Sequence, residues 1–316
     1  MAFENVTTAL PALAIEHDNR HRLRPAPHSR EGVVFMLSLP EEGLAGFIYP
    51  WINGNGTANA ATCIFGPGVS APIQERFEDV AVSEDMDFYD WSVGGLRLKI
   101  DEPMVSADVS FHGEKVQLDY RFDGMHPAYA FGSHKDGCPQ YYADDRMEQH
   151  GHVKGVLRVE GRSIPFETVG QRDHAWGTRI WGLNQHYKWF HATTQTSAVH
   201  FFEMQSFGAV HVRGFVFKDG VMSQVASVAH EYVFDDDMHH ISIDVVVVDD
   251  LQRVTRVECE TFAKYQFNAD PKIVLKESAT IVKVDGVGGV GWCEFCWNKD
   301  YYDLARIHAE EFQPYK

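Results

Sequence analysis

No apolar run in the 316-residue chain approaches the roughly 18 residues that a membrane span requires. The opening stretch "MAFENVTTALPALAIEHDNRHRLRP" has no basic start leading into an uninterrupted apolar core. No secretory leader or stable membrane insertion is therefore expected, and the compartment reads as cytoplasmic. Positive charge is scarce: 28 Lys and Arg stand against 45 Asp and Glu, a net charge of −17, without a long basic block. Such a field repels polyanions, which argues against nucleic acid and anionic membrane surfaces as partners. No phosphate loop, dinucleotide fingerprint or nucleophile elbow stands out, because "FGPGVS" lacks the strand, glycine and helix order such sites need; no cofactor is expected. Cysteine is sparse and odd in number, five in all, with one close pair at Cys293 and Cys296 in "GWCEFCWN". That segment reads as a strand, where residues three apart point to opposite faces, so reduced, structural cysteines are expected.

Helical patterning is missing too, since no segment before residue 300 sustains a helical apolar period over three turns. Only "KDYYDLARIHAEEF" at the end looks like a short amphipathic helix. What the chain has instead is alternation. "HVKGVLRVEGRSIPFETVG" alternates, turns at Glu160 and Gly161 and resumes, which predicts a hairpin. "RGFVFKDGVMSQVAS" repeats the pattern around Asp219 and Gly220. "HHISIDVVVVDD" places Ile241, Ile243, Val245 and Val247 on one face. An apolar content of 44% is ample for a packed core. The fold class is all-β: two tandem antiparallel barrel or sandwich domains, 1–180 and 181–316, with a short C-terminal helix.

Against that plain background, "VGQRDHAWGTRIWG" (Val169–Gly182) packs two arginines, an aspartate, a histidine, two tryptophans and several glycines together. On a strand, His174 and Trp176 share one face while Asp173 and Ala175 share the other. The glycines suggest a domain junction that also lines a pocket, with Asp173 clamped to Arg172 or Arg179. In "SAVHFFEMQSFG", Glu203 alternates with Phe201; buried there, it would lose hydration and be held protonated, as a proton donor. "DDRMEQHGH" offers Glu148, His150 and His152 at alternate positions, and Glu148 is a second candidate acid or pocket residue. His239 and His240 are adjacent, so on a strand they point apart, and no metal site is assigned to them or elsewhere.

The run "MEQHGHVKGVLRVEGRSIPFETVG" followed by "RDHAWGTR" resembles the lipocalin-like family of carotenoid 1,2-hydratases and its relatives with an arginine-aspartate-histidine-(serine or alanine)-tryptophan-glycine signature. The resemblance is most specific over residues 147–180. It implies two tandem lipocalin-like halves and a cofactor-independent, acid-initiated hydration, dehydration, isomerisation or cyclisation of a small apolar, terpenoid-like substrate. In those hydratases the histidine and tryptophan work with an acid on a following strand. His174 and Trp176 match the pair; Glu203 and Phe201 stand where an aspartate and a tyrosine are expected. The implied catalytic set is Glu203, His174, Trp176 and Asp173, and the implied substrate-binding set is Trp181, Trp189, Phe190, Phe201 and Glu148. Aromatic faces stabilise a developing cation by about 0.5 to 2 kcal/mol each. A barrel can also carry an apolar ligand unchanged, and a non-catalytic carrier is the alternative.

Overall fold

The computed structural model describes residues 3–312, with side chains through residue 309. The chain divides into two compact units, Met1–Arg179 and Ile180–Lys316. After a two-residue strand β1 (Thr7–Thr8), the first unit contains β2 (Ser29–Leu39), β3 (Leu44–Asn53), β4 (Thr57–Phe65), β5 (Ile73–Ala81), β6 (Trp91–Val93), β7 (Leu96–Glu102), β8 (Ser106–His112), β9 (Val116–Gly124), β10 (Tyr129–Ala130), β11 (Asp145–Val159) and β12 (Arg162–Thr178). Strands β2 to β12 form one sheet in the order β5-β4-β3-β2-β12-β11-β9-β8-β7-β6, with β10 paired to β11. The edge strand β5 is tied by side chains to the β8–β9 hairpin: the Glu75 carboxylate accepts the backbone N–H groups of Glu114, Lys115 and Val116, and Phe77 packs on Phe111. The interior is apolar, with Phe35, Trp91, Phe111, Phe122 and Leu157 all buried.

The second unit contains β13 (His186–Thr193), β14 (Ala198–Ser206), β15 (Ala209–Lys218), β16 (Val221–Phe234), β17 (His240–Asp249), β18 (Val254–Phe267), β19 (Ile273–Val284), β20 (Val287–Asn298) and helix α1 (Lys299–Phe312). Each strand pairs with the next, and β20 pairs back with β13, so these eight strands close a barrel. Closure leaves no free edge among them. The helix lies where the sequence places it, with Tyr302 and Ala309 packed into the barrel's core cluster.

Turn chemistry explains the hairpins. Glu160–Gly161, Phe207–Gly208, Asp219–Gly220 and Asp285–Gly286 all have positive φ at both positions, the geometry whose twist matches the flanking strands. All five cysteines are free and buried. Cys293 belongs to the barrel's core cluster and Cys296, three residues on, does not.

The motif stretch holds the boundary between the two units at its end, Arg179–Ile180, while its middle belongs to the first sheet. Residues 170–176 lie inside β12, a strand of 17 residues paired with β11 on one side, while 172–178 also pair with β2 on the other. A strand hydrogen-bonded on both flanks has its backbone satisfied in the sheet interior and is not a hinge. Gly177 is where glycine is needed: its φ is +106°, and a Cβ there would collide with the Asp144 side chain.

Candidate active site

Alternation along β12 carries Ile164, Phe166, Arg172, His174 and Trp176 on the inner face of the first sheet. Across from them, β2 turns Glu31 inward in line with Val33, Phe35 and Leu37. Trp176 pairs with Glu31 and His174 with Val33 in the β12–β2 register. Glu31 is therefore a carboxylate at the end of an apolar stripe, and it is 0% exposed.

The segment before β2 crosses this end of the sheet and supplies the rest. A short turn, Ile15–Asp18, sends Asp18 down onto Arg172, whose guanidinium donates to both carboxylate oxygens at 2.9 and 3.0 Å. Arg172 also donates to Gln149 Oε1 at 2.9 Å and lies over the Phe122 ring. Asp18 accepts the Met104 backbone N–H as well. This fully buried pair anchors the crossing segment and positions His17 and His21.

His21 Nδ1 and His174 Nε2 each approach Glu31 Oε1 at 2.8 Å. The backbone N–H of His21 donates to both Glu31 oxygens at 3.0 Å. Burial alone would raise the Glu31 carboxyl, but the hydrogen bonds from His174 and then His21 outweigh it and hold Glu31 below its ordinary value. Glu31 is thus ionised, and both rings donate N–H to it. On that assignment His174 turns a bare Nδ1 lone pair the other way; this atom is buried and has no hydrogen-bond partner among the described residues. His21 Nε2 faces His17 Nδ1 at 2.9 Å. Burial, and then His21, lower the pKa of His17.

Aromatic faces enclose the cluster. Trp176 stacks on His21 with centroids 4.0 Å apart and on His17 at 5.2 Å, and it meets His174 edge-on at 5.1 Å. Phe88 meets His174 edge-on from the core side. Asp145, which pairs with Trp176 across β11, has its carboxyl raised by burial although it accepts N–H groups from Gly132 and Arg146. The set amounts to an oriented imidazole pair, an ionised carboxylate and an indole wall.

The other expected site residues lie elsewhere. Asp173 is on the opposite face of β12 from His174. It pairs with Arg146 at 2.7 Å, and Arg146 on β11 reaches both Asp173 and Glu148, while Arg172 is held by Asp18 and Gln149. Arg179 donates to the Tyr142 backbone carbonyl and covers its ring. Glu148 is buried in that ion network, whereas His152, two residues beyond the buried His150, is exposed.

Glu203, Phe190, Phe201, Trp189 and Trp181 belong to the second unit. Phe190 and Phe201 stack inside its barrel at 4.7 Å, while Trp189 is packed edge-on to His191 and is not part of the core cluster. Trp181 begins a short turn, Trp181–Leu183, before β13. The expected neutral Glu203 is overturned. Burial works in that direction, but the hydrogen bond from His230 at 3.1 Å and the Lys188 ammonium at 2.6 Å pull its pKa far down, so Glu203 is an ionised partner in a salt bridge. A carboxyl pushed upward by burial does occur in this unit, at Glu277. Burial and the adjacent Glu294 raise it well above the ordinary value, and Trp292 Nε1 donates to it at 2.7 Å.

Comparison with known proteins places the chain in a family. A family model described as a domain of unknown function, DUF7064, matches residues 14–299. The chain belongs to the DUF7064 family. The match takes in the crossing segment, β2 and β12, so every member of the His21–Glu31–His174 cluster lies within the DUF7064 region. No curated protein sequence matches the chain. Among solved structures, an AttH-like protein of Nitrosomonas europaea is 14% identical with a TM-score of 0.64, covering 90% of this chain and 97% of its own. Kievitone hydratase from Nectria haematococca is 10% identical with a TM-score of 0.62, covering 93% and 97%. CghA, solved with Sch210972, is 10% identical with a TM-score of 0.64, covering 86% and 89%. At these identities the likeness establishes the fold, two tandem lipocalin-like β-barrels, for this DUF7064 chain.

Proposed function

We propose that the protein is an acid–base enzyme that hydrates, dehydrates, isomerises or cyclises a small apolar substrate without a cofactor, with His174 as the proton-transfer group. The observation that carries this reading is the Glu31 carboxylate holding His174 by Nε2 so that its Nδ1 lone pair is left bare in a buried, aromatic surround. A carboxylate that fixes the tautomer and orientation of an imidazole supports its work as general base and, once charged, as general acid. Trp176 offers a π-face to positive charge that builds up beside it. His21 and His17 extend the hydrogen-bonded chain from Glu31 toward the partly exposed side, a path by which the proton is exchanged with solvent.

The chemistry limits the substrate. Imidazolium is too weak an acid to protonate an isolated alkene at useful speed, so the proton moves on a water or hydroxyl oxygen, or on carbon next to a carbonyl. The substrate class is then apolar alcohols and unsaturated carbonyl compounds of terpenoid or polyketide type. Likeness in fold to a hydratase supports the reading. The test incubates the protein with a panel of such compounds in deuterated water and reads products by mass spectrometry. Deuterium built into a hydrated, dehydrated or isomerised product by wild type, and lost in His174→Ala, is the expected result. A compound bound and recovered unchanged would make the protein a carrier instead.

A further inference from the structure

We infer that His21, Glu31 and His174 form a binding site for a divalent transition-metal cation, Zn2+ by preference, which is mutually exclusive with proton transfer at His174. One ligand atom from each lies within 4.8 Å of the others. Two imidazoles and one carboxylate make a donor set that suits Zn2+ and its neighbours, whereas Mg2+ and Ca2+ favour oxygen alone. In a tetrahedral site with bonds of about 2.0 to 2.1 Å, ligand atoms stand roughly 3.3 Å apart. The two imidazole nitrogens stand 2.8 Å from Glu31 Oε1, so only a small outward shift of each ring admits the ion.

On the His21 side the surroundings favour that shift. Binding spends the His21 Nδ1 and His174 Nε2 lone pairs, which moves each proton to the far ring nitrogen without net release. For His21 that nitrogen is Nε2, already 2.9 Å from His17 Nδ1, which can accept it. Metal-bound histidines characteristically donate their other N–H to such a partner. The His21 side chain is 20% exposed and gives the ion an entry route. The negative end of the set is secured because the His21 backbone N–H holds both Glu31 oxygens. A bound ion leaves the His174 Nδ1 protonated and the relay through Glu31 broken.

Metal uptake is read without turnover, so it fails or succeeds independently of the catalytic reading. Chelator-treated protein without an affinity tag is titrated with Co2+, followed by its visible absorption, and then with Zn2+ as competitor. The expected result is one equivalent per chain, displaced by Zn2+. Affinity falls at least 100-fold in Glu31→Gln and in His174→Ala, and about 10-fold in His17→Gln. His21→Ala, altered in the crossing segment rather than in the sheet, serves if the sheet variants do not fold. Absence of saturable one-to-one uptake would overturn the inference, as would uptake that these substitutions leave unchanged.

Discussion

The two barrels treat buried charge in different ways. In the first, polar side chains are brought to the inner face of one sheet end by a segment from outside the sheet, and the result is an imidazole pair with a free lone pair. In the second, the inward-facing Glu203 is neutralised by Lys188 on the adjacent β13 and by His230 on β16, and Gln205 also donates to it at 3.1 Å. Lys188 and Glu203 are a cross-strand pair of β13 and β14. The first sheet leaves an end to be completed by Asp18, His17 and His21. In the first unit the buried carboxylate draws its partners from a crossing segment as well as from the sheet; in the second it draws them from strands alone.

The anchor of that segment gives the largest effect. Asp18→Ala leaves the Arg172 guanidinium buried and unpaired, and the first unit should lose about 3 to 5 kcal/mol. Hydrogen exchange would show β12 amides opening sooner while β13 and β20 amides keep their protection. Equal loss in both units would break the contrast drawn between them.

The second unit should be the more acid-sensitive of the two. His239 and His240 are held neutral by burial, with pKa values lowered to about 3, and burial lowers His126 in the first unit to about 4. A histidine whose folded pKa lies below its unfolded value of about 6.5 contributes fully above that value. Its contribution is lost as pH falls toward the folded pKa, because the unfolded chain takes up protons first. Each such group costs about 1.4 kcal/mol per pH unit in that window. The second unit also holds His186, lowered well below its ordinary value by burial, and the first holds the partly buried His17, lowered less. Denaturant melts followed by exchange at pH 7, 6 and 5 should therefore show a steeper loss for the second unit.

Glu277 sharpens the same contrast from the alkaline side. With a folded pKa raised by burial and by Glu294, its contribution is full below about pH 4.3 and declines as pH rises. Glu277→Gln keeps the shape and removes that decline, so the second unit should gain about 1 kcal/mol at pH 7 and nothing at pH 4. Destabilisation at both values would show that the pair is held ionised.

Much of this was legible in the sequence and some could not have been. The turns at Glu160–Gly161 and Asp219–Gly220, the terminal helix and the shared face of His174 and Trp176 follow from local pattern. Glu31 left a signal too, as an acid in register with Val33, Phe35 and Leu37, but it lies 143 residues from His174. Asp18, His17 and His21 left none, since their segment has no period and its place is set by one buried ion pair. The charge on Glu203 was misread because its neighbours in sequence are apolar, while the partners that decide it, Lys188 on β13 and His230 on β16, come from other strands of the barrel. Asp173 also has Arg146, 27 residues away on β11, a partner that closeness in sequence does not offer.

The most direct test of the account compares two isosteric changes in one assay, Glu31→Gln and Glu203→Gln, on whichever compound of the panel incorporates deuterium. The account predicts a fall in turnover of about 100-fold or more for Glu31→Gln, because the imidazole loses the carboxylate that orients it. Glu203→Gln should loosen the second barrel and leave turnover within a few-fold of wild type. The reverse pattern would contradict the assignment of the chemistry to the first barrel and return it to Glu203.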